Sequence, residues 1–134
     1  MMKPILAFAA ICLFPVAGFC QSNPNDEPAT FEKYREDLKI NRADSLAHYR
    51  QAQLWLRQRN FQASANELSE AMNGNKKPAW TEVWSHICLG KIFDITDQRE
   101  RAIKEYRLAV RTGDDTQGAQ AEASKYLKSP YREK

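Results

Sequence analysis

The sequence predicts an all-α fold built from antiparallel helix pairs, and three observations carry that expectation. From Thr30 to Ser129 the apolar residues recur at helical spacing, with Pro78 as the one proline in the stretch. Clusters of β-branched residues are absent, and the Asn73-Gly74 pair follows a helical pattern, so it reads as a helix stop and not as a hairpin turn. The chain also matches itself after a shift of 38 residues: His48 falls on His86, Ala52 on Gly90, Trp55 on Phe93, Ser64 on Ala102, Glu67 on Glu105, Leu68 on Tyr106, Ala71 on Ala109 and Met72 on Val110. Large meets large and small meets small, as expected of a repeated supersecondary unit.

Taken in order, residues 1–20 read as a secretory signal. Lys3 is their one charge, Ile5 to Phe14 is an apolar run, Pro15 breaks it, and Gly18 and Cys20 stand at the −3 and −1 positions before Gln21. A membrane anchor and a lipidated Cys20 are the alternatives. Pro15 interrupts a stretch already marginal against the ~20 residues of a spanning helix, and Phe19 is bulky where small residues precede a lipidated cysteine. Cleavage after Cys20 removes two of the three cysteines and leaves Cys88 alone. Residues 21–29, with Pro24 and Pro28 among Asn23, Asn25, Asp26 and Glu27, bury little and read as a flexible linker.

Residues 30–41 form a first helix, Phe31–Ile40, with Phe31, Tyr34 and Leu38 on one face. Residues 42–78 and 79–112 are the two repeated units. The first pairs Ala43–Gln58 with Phe61–Met72, and the second pairs Ala79–Ile95 with Arg99–Arg111. Residues 113–134 supply a closing helix, Gln117–Lys128, and a tail. Asp115 or Thr116 is its expected N-cap, and Ala121, Ser124 and Leu127 its buried stripe beside Tyr126.

The second unit reads Trp84, then Leu89-Gly90, Phe93, Ala102, Tyr106 and Ala109. This resembles the tetratricopeptide repeat, whose pattern is a large residue, Leu-Gly, an aromatic, and a spaced Ala–aromatic–Ala in the second helix. The first unit departs from it with Gln51 and Ser64 where Leu and Ala are usual, and the period of 38 exceeds the family's about 34. A longer connection, Asn73–Ala79, accounts for the excess. Another helical-repeat family of similar period is the alternative. The resemblance implies a right-handed α-solenoid whose open ends are covered by capping helices. The segment Gly118–Ala123, with Tyr126-Leu127 and Pro130-Tyr131, looks like the closing helix of bacterial exported repeat proteins.

The resemblance also implies a concave groove lined by the first helix of each pair. Its positions map to Leu46, Tyr49, Gln53, Leu56 and Arg57, then to Trp84, Ile87, Lys91, Asp94 and Ile95. Tyr49, Gln53, Leu56, Arg57, Trp84, Ile87, Lys91 and Asp94 are the expected partner-binding residues, presenting one accessible surface with Trp84 as its anchor. Terminal helices filling that groove is the competing expectation. Tyr49 and Gln53 stand at the first two positions of the Lys and Asn pattern with which some co-chaperones of this family clamp a C-terminal carboxylate, so that clamp is missing.

Catalytic chemistry has few candidates. His86 and Cys88 are two apart on one helix and diverge, so they do not chelate one ion together. His48 and His86 share a repeat position, where a packing role competes with paired ligands. Cys88, between Ile87 and Leu89, reads as a buried, inert thiol. Zinc spacings, phosphate-binding glycine loops and a nucleophile elbow are all missing from the sequence. Twenty basic against 17 acidic residues, interspersed, give a net charge of +3 and do not suit a nucleic-acid binder. The resulting expectation is an exported (periplasmic or secreted), non-enzymatic protein-interaction module without cofactor, catalytic centre or metal. Its partner is another protein, through a peptide or helix, with no nucleic acid and no stable membrane insertion once the signal is removed. A structural subunit contacting partners through its end helices, and a small enzyme using His48, His86 or Cys88, are the other readings.

Overall fold

The computed structural model describes residues 31–134. The expected signal, 1–20, and linker, 21–29, lie outside the described residues. The described chain is all-α: α1 Phe31–Ile40, α2 Ser45–Arg57, α3 Phe61–Asn73, α4 Trp80–Ile95, α5 Arg99–Thr112, a short 3₁₀ turn Thr116–Gly118, and α6 Ala119–Lys128, with no strand among the described residues. None of these helices is long and apolar enough to cross a membrane.

The helix boundaries follow from local chemistry. Asp44 caps α2, its side chain accepting the Ala47 amide at 3.1 Å, so the helix begins at Ser45. Asn60 caps α3 in the same way through Ala63. Gly113, at φ +67°, ends α5 in a left-handed turn. α2 and α4 close alike. Arg59 and Asp97 both adopt φ near +60°, and the amides that follow them reach back, Asn60 N to Trp55 O at 3.0 Å and Gln98 N to Phe93 O at 2.7 Å. These are Schellman turns 38 residues apart. A turn so short sends the next helix back along the one before it, so α2–α3 and α4–α5 are antiparallel pairs.

Two expectations about the closing helix are corrected. It starts at Ala119, because Gln117 (φ +57°) and Gly118 (φ +76°) break the helical path. Its N-cap is Gly118, in place of the expected Asp115 or Thr116, although the Asp115 side chain still accepts the Gln120 amide at 3.0 Å. Its buried face is Ala119 and Ala123 with Tyr126 and Leu127 beside them, while Ala121 and Ser124 are exposed. The left-handed pair Gln117 and Gly118 redirects the chain before α6, and the face turned to the core is the one that carries Ala119 and Ala123.

Each helix packs on the next in the chain, and α4 also meets α2 and α6. α4 is the axis of the molecule. Between Thr81 and Phe93 every residue except Glu82 and His86 is buried, as a helix covered on all sides must be. The main core joins Tyr49, Leu56, Leu68, Trp84, Ile87, Ile92 and Tyr106. A smaller cluster, Tyr34, Ala47 and Leu54 with Phe31 and Leu38, fixes α1 to α2. Trp55, whose counterpart Phe93 is buried, is only half-buried and meets the Phe31 ring at 4.5 Å, tilted by 47°.

The connection after α3 is stitched to the start of α2. Asn75 N donates to Ala43 O at 2.7 Å, Lys76 N to the buried Ser45 Oγ at 2.8 Å, and Ser45 N to Asn75 Oδ1 at 3.3 Å. Gly74 makes this possible: a Cβ there would stand 2.6 Å from both Ala43 O and Ser45 Oγ.

Candidate protein-binding surface

Of the residues expected in the groove, Tyr49, Leu56, Trp84 and Ile87 meet in the main core, and most of the set is covered. Tyr49 and Ile87 are fully buried, Trp84 is 2% exposed, and Gln53, Leu56 and Lys91 are buried as well. Leu46 and Ile95 are half-buried, and Arg57 is exposed. The expected accessible surface of Tyr49, Leu56, Trp84 and Lys91 is therefore corrected. Covering is supplied by Trp80 from the start of α4 and by the chain after α5. The Trp80 and Tyr49 rings meet edge to face at 5.3 Å, and burial holds the Tyr49 hydroxyl well above the usual tyrosine range. Trp84 Nε1 donates to Thr116 O at 3.0 Å, which ties the indole to the 3₁₀ turn. Trp84 is core.

At the far end of α4 the cover is polar. Lys91 Nζ bonds Glu122 Oε1 of α6 at 2.7 Å and lies over the rings of Tyr126 at 5.3 Å and Tyr131 at 5.1 Å. Burial lowers the Lys91 pKa against the opposing pull of Glu122. The Asp94 side chain is fully buried. Arg99 Nη1 donates to both its oxygens at 3.0 and 3.1 Å, and Tyr106 Oη and the Tyr131 amide donate to Oδ2 at 2.9 and 2.8 Å. Arg99 Nη2 continues to the carbonyls of Tyr126 and Leu127, at 2.7 and 3.1 Å, at the last turn of α6. Four donor bonds on one buried carboxylate answer the cost of its desolvation. Beside it, Asp94, Asp97, Arg99, Pro130, Tyr131 and Arg132 surround a cleft of about 120 Å³.

The histidines are placed by the repeat. His48 Nδ1 meets Glu67 Oε2 at 2.7 Å, and His86 Nδ1 meets Glu105 Oε2 at 2.8 Å, each pair tying the first helix of a unit to the second. His48 Nε2 also faces Arg42 O at 3.0 Å. Burial draws the His48 pKa down, but the Glu67 hydrogen bond, the Arg42 carbonyl and the charges of Glu67 and Glu70 together raise it. Among the described residues no group of three His, Cys, Asp or Glu side chains is close enough to hold a metal ion. Cys88 is fully buried, with Tyr49 Oη 3.8 Å from its sulfur. It is disulfide-bonded, in place of the lone inert thiol expected.

Sequence reasoning misses Tyr131 and the central role of Asp94. Glu67 and Glu105 are visible in the 38-residue match, and the signal that would have paired them with His48 and His86 is that both columns repeat together. No protein-family model, curated protein or solved structure matches the chain.

Proposed function

We propose that the protein is a non-catalytic protein-binding module, exported from the cytoplasm, made of two tetratricopeptide-like helix pairs that hold an extended peptide segment. The repeated His–Glu ties and the repeated Schellman turns support the two-pair reading. The observation that carries the binding reading is the Tyr131 amide donating at 2.8 Å to the buried Asp94 carboxylate, with the Tyr131 ring beneath Lys91. This surface holds a stretch of irregular main chain by backbone hydrogen bonding and one aromatic side chain, which is how peptide-recognition surfaces combine affinity with specificity.

The opposite end favours a second reading. α1 packs on α2 and ends in Ile40, a large apolar residue left 87% exposed. That end suits an assembly contact. A photo-crosslinking amino acid placed in the cell at Lys125, an exposed α6 residue whose side chain lies over the Tyr126 ring, and separately at Lys39, separates the two. Partner adducts from position 125 alone support peptide binding; adducts from position 39 alone move the working face to α1 and overturn it.

A further inference from the structure

Residues 129–134 leave α6 as extended chain. Ser129 is extended (φ −146°, ψ 134°), Pro130 bars further helix, and no regular structure follows. This stretch is nonetheless fixed at points remote in sequence. Its Tyr131 amide bonds Asp94, its Tyr131 ring packs under Lys91, and both Glu133 oxygens accept from Arg59 Nη1 at 2.9 Å. It thus passes from the end of α4 to the turn between α2 and α3, across both helix pairs.

The receiving groups are held by the fold and not by the segment. Arg99 and Tyr106 fix the Asp94 carboxylate before Tyr131 arrives, and Glu122 fixes Lys91. A peptide amide meeting a preorganised, buried carboxylate makes a charge-assisted bond without ordering the acceptor. The outer anchor is weaker, since Arg59 is exposed and its ion pair with Glu133 is screened by solvent. The segment is therefore gripped at Tyr131 and loose at Glu133.

We propose that residues 129–134 are a built-in ligand of this surface, and that the partner is an extended peptide of the same chemistry: an aromatic residue with a free amide, followed two positions later by a carboxylate. The proposal rests on the peptide-binding reading above and names its ligand and regulation. The tethered segment competes at an effective concentration on the order of millimolar, so the module stays closed to weak ligands and opens to a peptide that outcompetes it.

The test uses the whole chain. Tyr131→Pro removes both the amide donor and the ring while leaving α6 intact. A fluorescent peptide Ser-Pro-Tyr-Arg-Glu-Lys is titrated into wild type and variant. The expected result is binding at least about tenfold tighter to the variant, lost when the peptide carries an N-methylated Tyr or Ala in its place. Equal binding to both chains, no binding to either, or an unfolded Tyr131→Pro chain overturns the proposal. A second readout on wild type is hydrogen exchange: the Tyr131 amide should exchange at least 100-fold faster than the α4 amides. Exchange together with α4 would make the segment part of the cooperative fold and overturn the proposal as well. Partner adducts at position 125 without binding of this peptide would remove the ligand assignment alone, whereas adducts from position 39 alone would remove the binding reading beneath it.

Discussion

The ring of Tyr106 lies directly on Gly90: a Cβ at position 90 would stand 2.5 Å from Tyr106 Cε1. The ring has no room to yield, because it is fully buried and its hydroxyl is held by Asp94. The first helix pair carries Ala52 and Leu68 at these positions, both fully buried.

Gly90→Ala should therefore destabilise the protein by roughly 1–2 kcal/mol, since so close an approach puts overpacking in the upper part of its range, about 2–3 kcal/mol, against a gain of about 1 kcal/mol from replacing a helical glycine. Adding Tyr106→Leu, the arrangement of the first pair, should make the double variant less destabilised than the sum of the two single changes. Urea midpoints over the double-mutant cycle check this, and strictly additive effects would contradict the packing argument.

Trp84→Ala should destabilise by about 3–5 kcal/mol. The indole is 2% exposed and loses its bond to Thr116 O as well as its packing. Thermal melting followed by circular dichroism gives the answer. A melt matching wild type would return Trp84 to the surface role expected from sequence.

His48 should make stability depend on pH. Both ring nitrogens face acceptors, Glu67 Oε2 and Arg42 O, so the doubly protonated ring satisfies both and the neutral ring only one. Its folded pKa is raised above the ordinary 6.5. The associated stability is then fully present below the unfolded value and is lost as pH rises through the folded value. The stability difference between wild type and His48→Gln should be larger at about pH 5.5 than at about pH 8.5. Denaturant titrations at the two values measure it, and a difference independent of pH would refute the pairing.

Export should cleave between Cys20 and Gln21. Cleavage takes Cys12 and Cys20, the only other cysteines of the sequence, away from Cys88, so its disulfide must open; the intact mass of the reduced product should equal residues 21–134, with Cys88 as the single alkylatable thiol after denaturation. A product retaining Met1, or carrying lipid on Cys20, excludes this processing.

The helices are legible in the sequence because their signals are local. Asp44, Asn60 and Gly113 cap or stop helices within a few residues of themselves, and the apolar spacing marks what lies between. The fate of the groove positions is not legible in that way. Lys91 and Asp94 are charged residues at positions that the resemblance expected to be open. Their burial depends on Glu122 and Tyr131, 31 and 37 residues further along. Nothing periodic connects them. The same holds for Trp84, whose cover is a backbone carbonyl 32 residues away.

The stitching of Asn75 and Lys76 to Ala43 and Ser45 turns the first helix pair into a closed ring of chain. Its two ends cannot fray separately, because releasing the connection strips Ala43 O and the buried Ser45 of their partners. Opening of α2 and opening of α3 are thereby one event. Their amides should share a single protection level at low denaturant, behaving as one foldon, whereas α1, which packs on α2 through the small cluster around Tyr34, exchanges on its own.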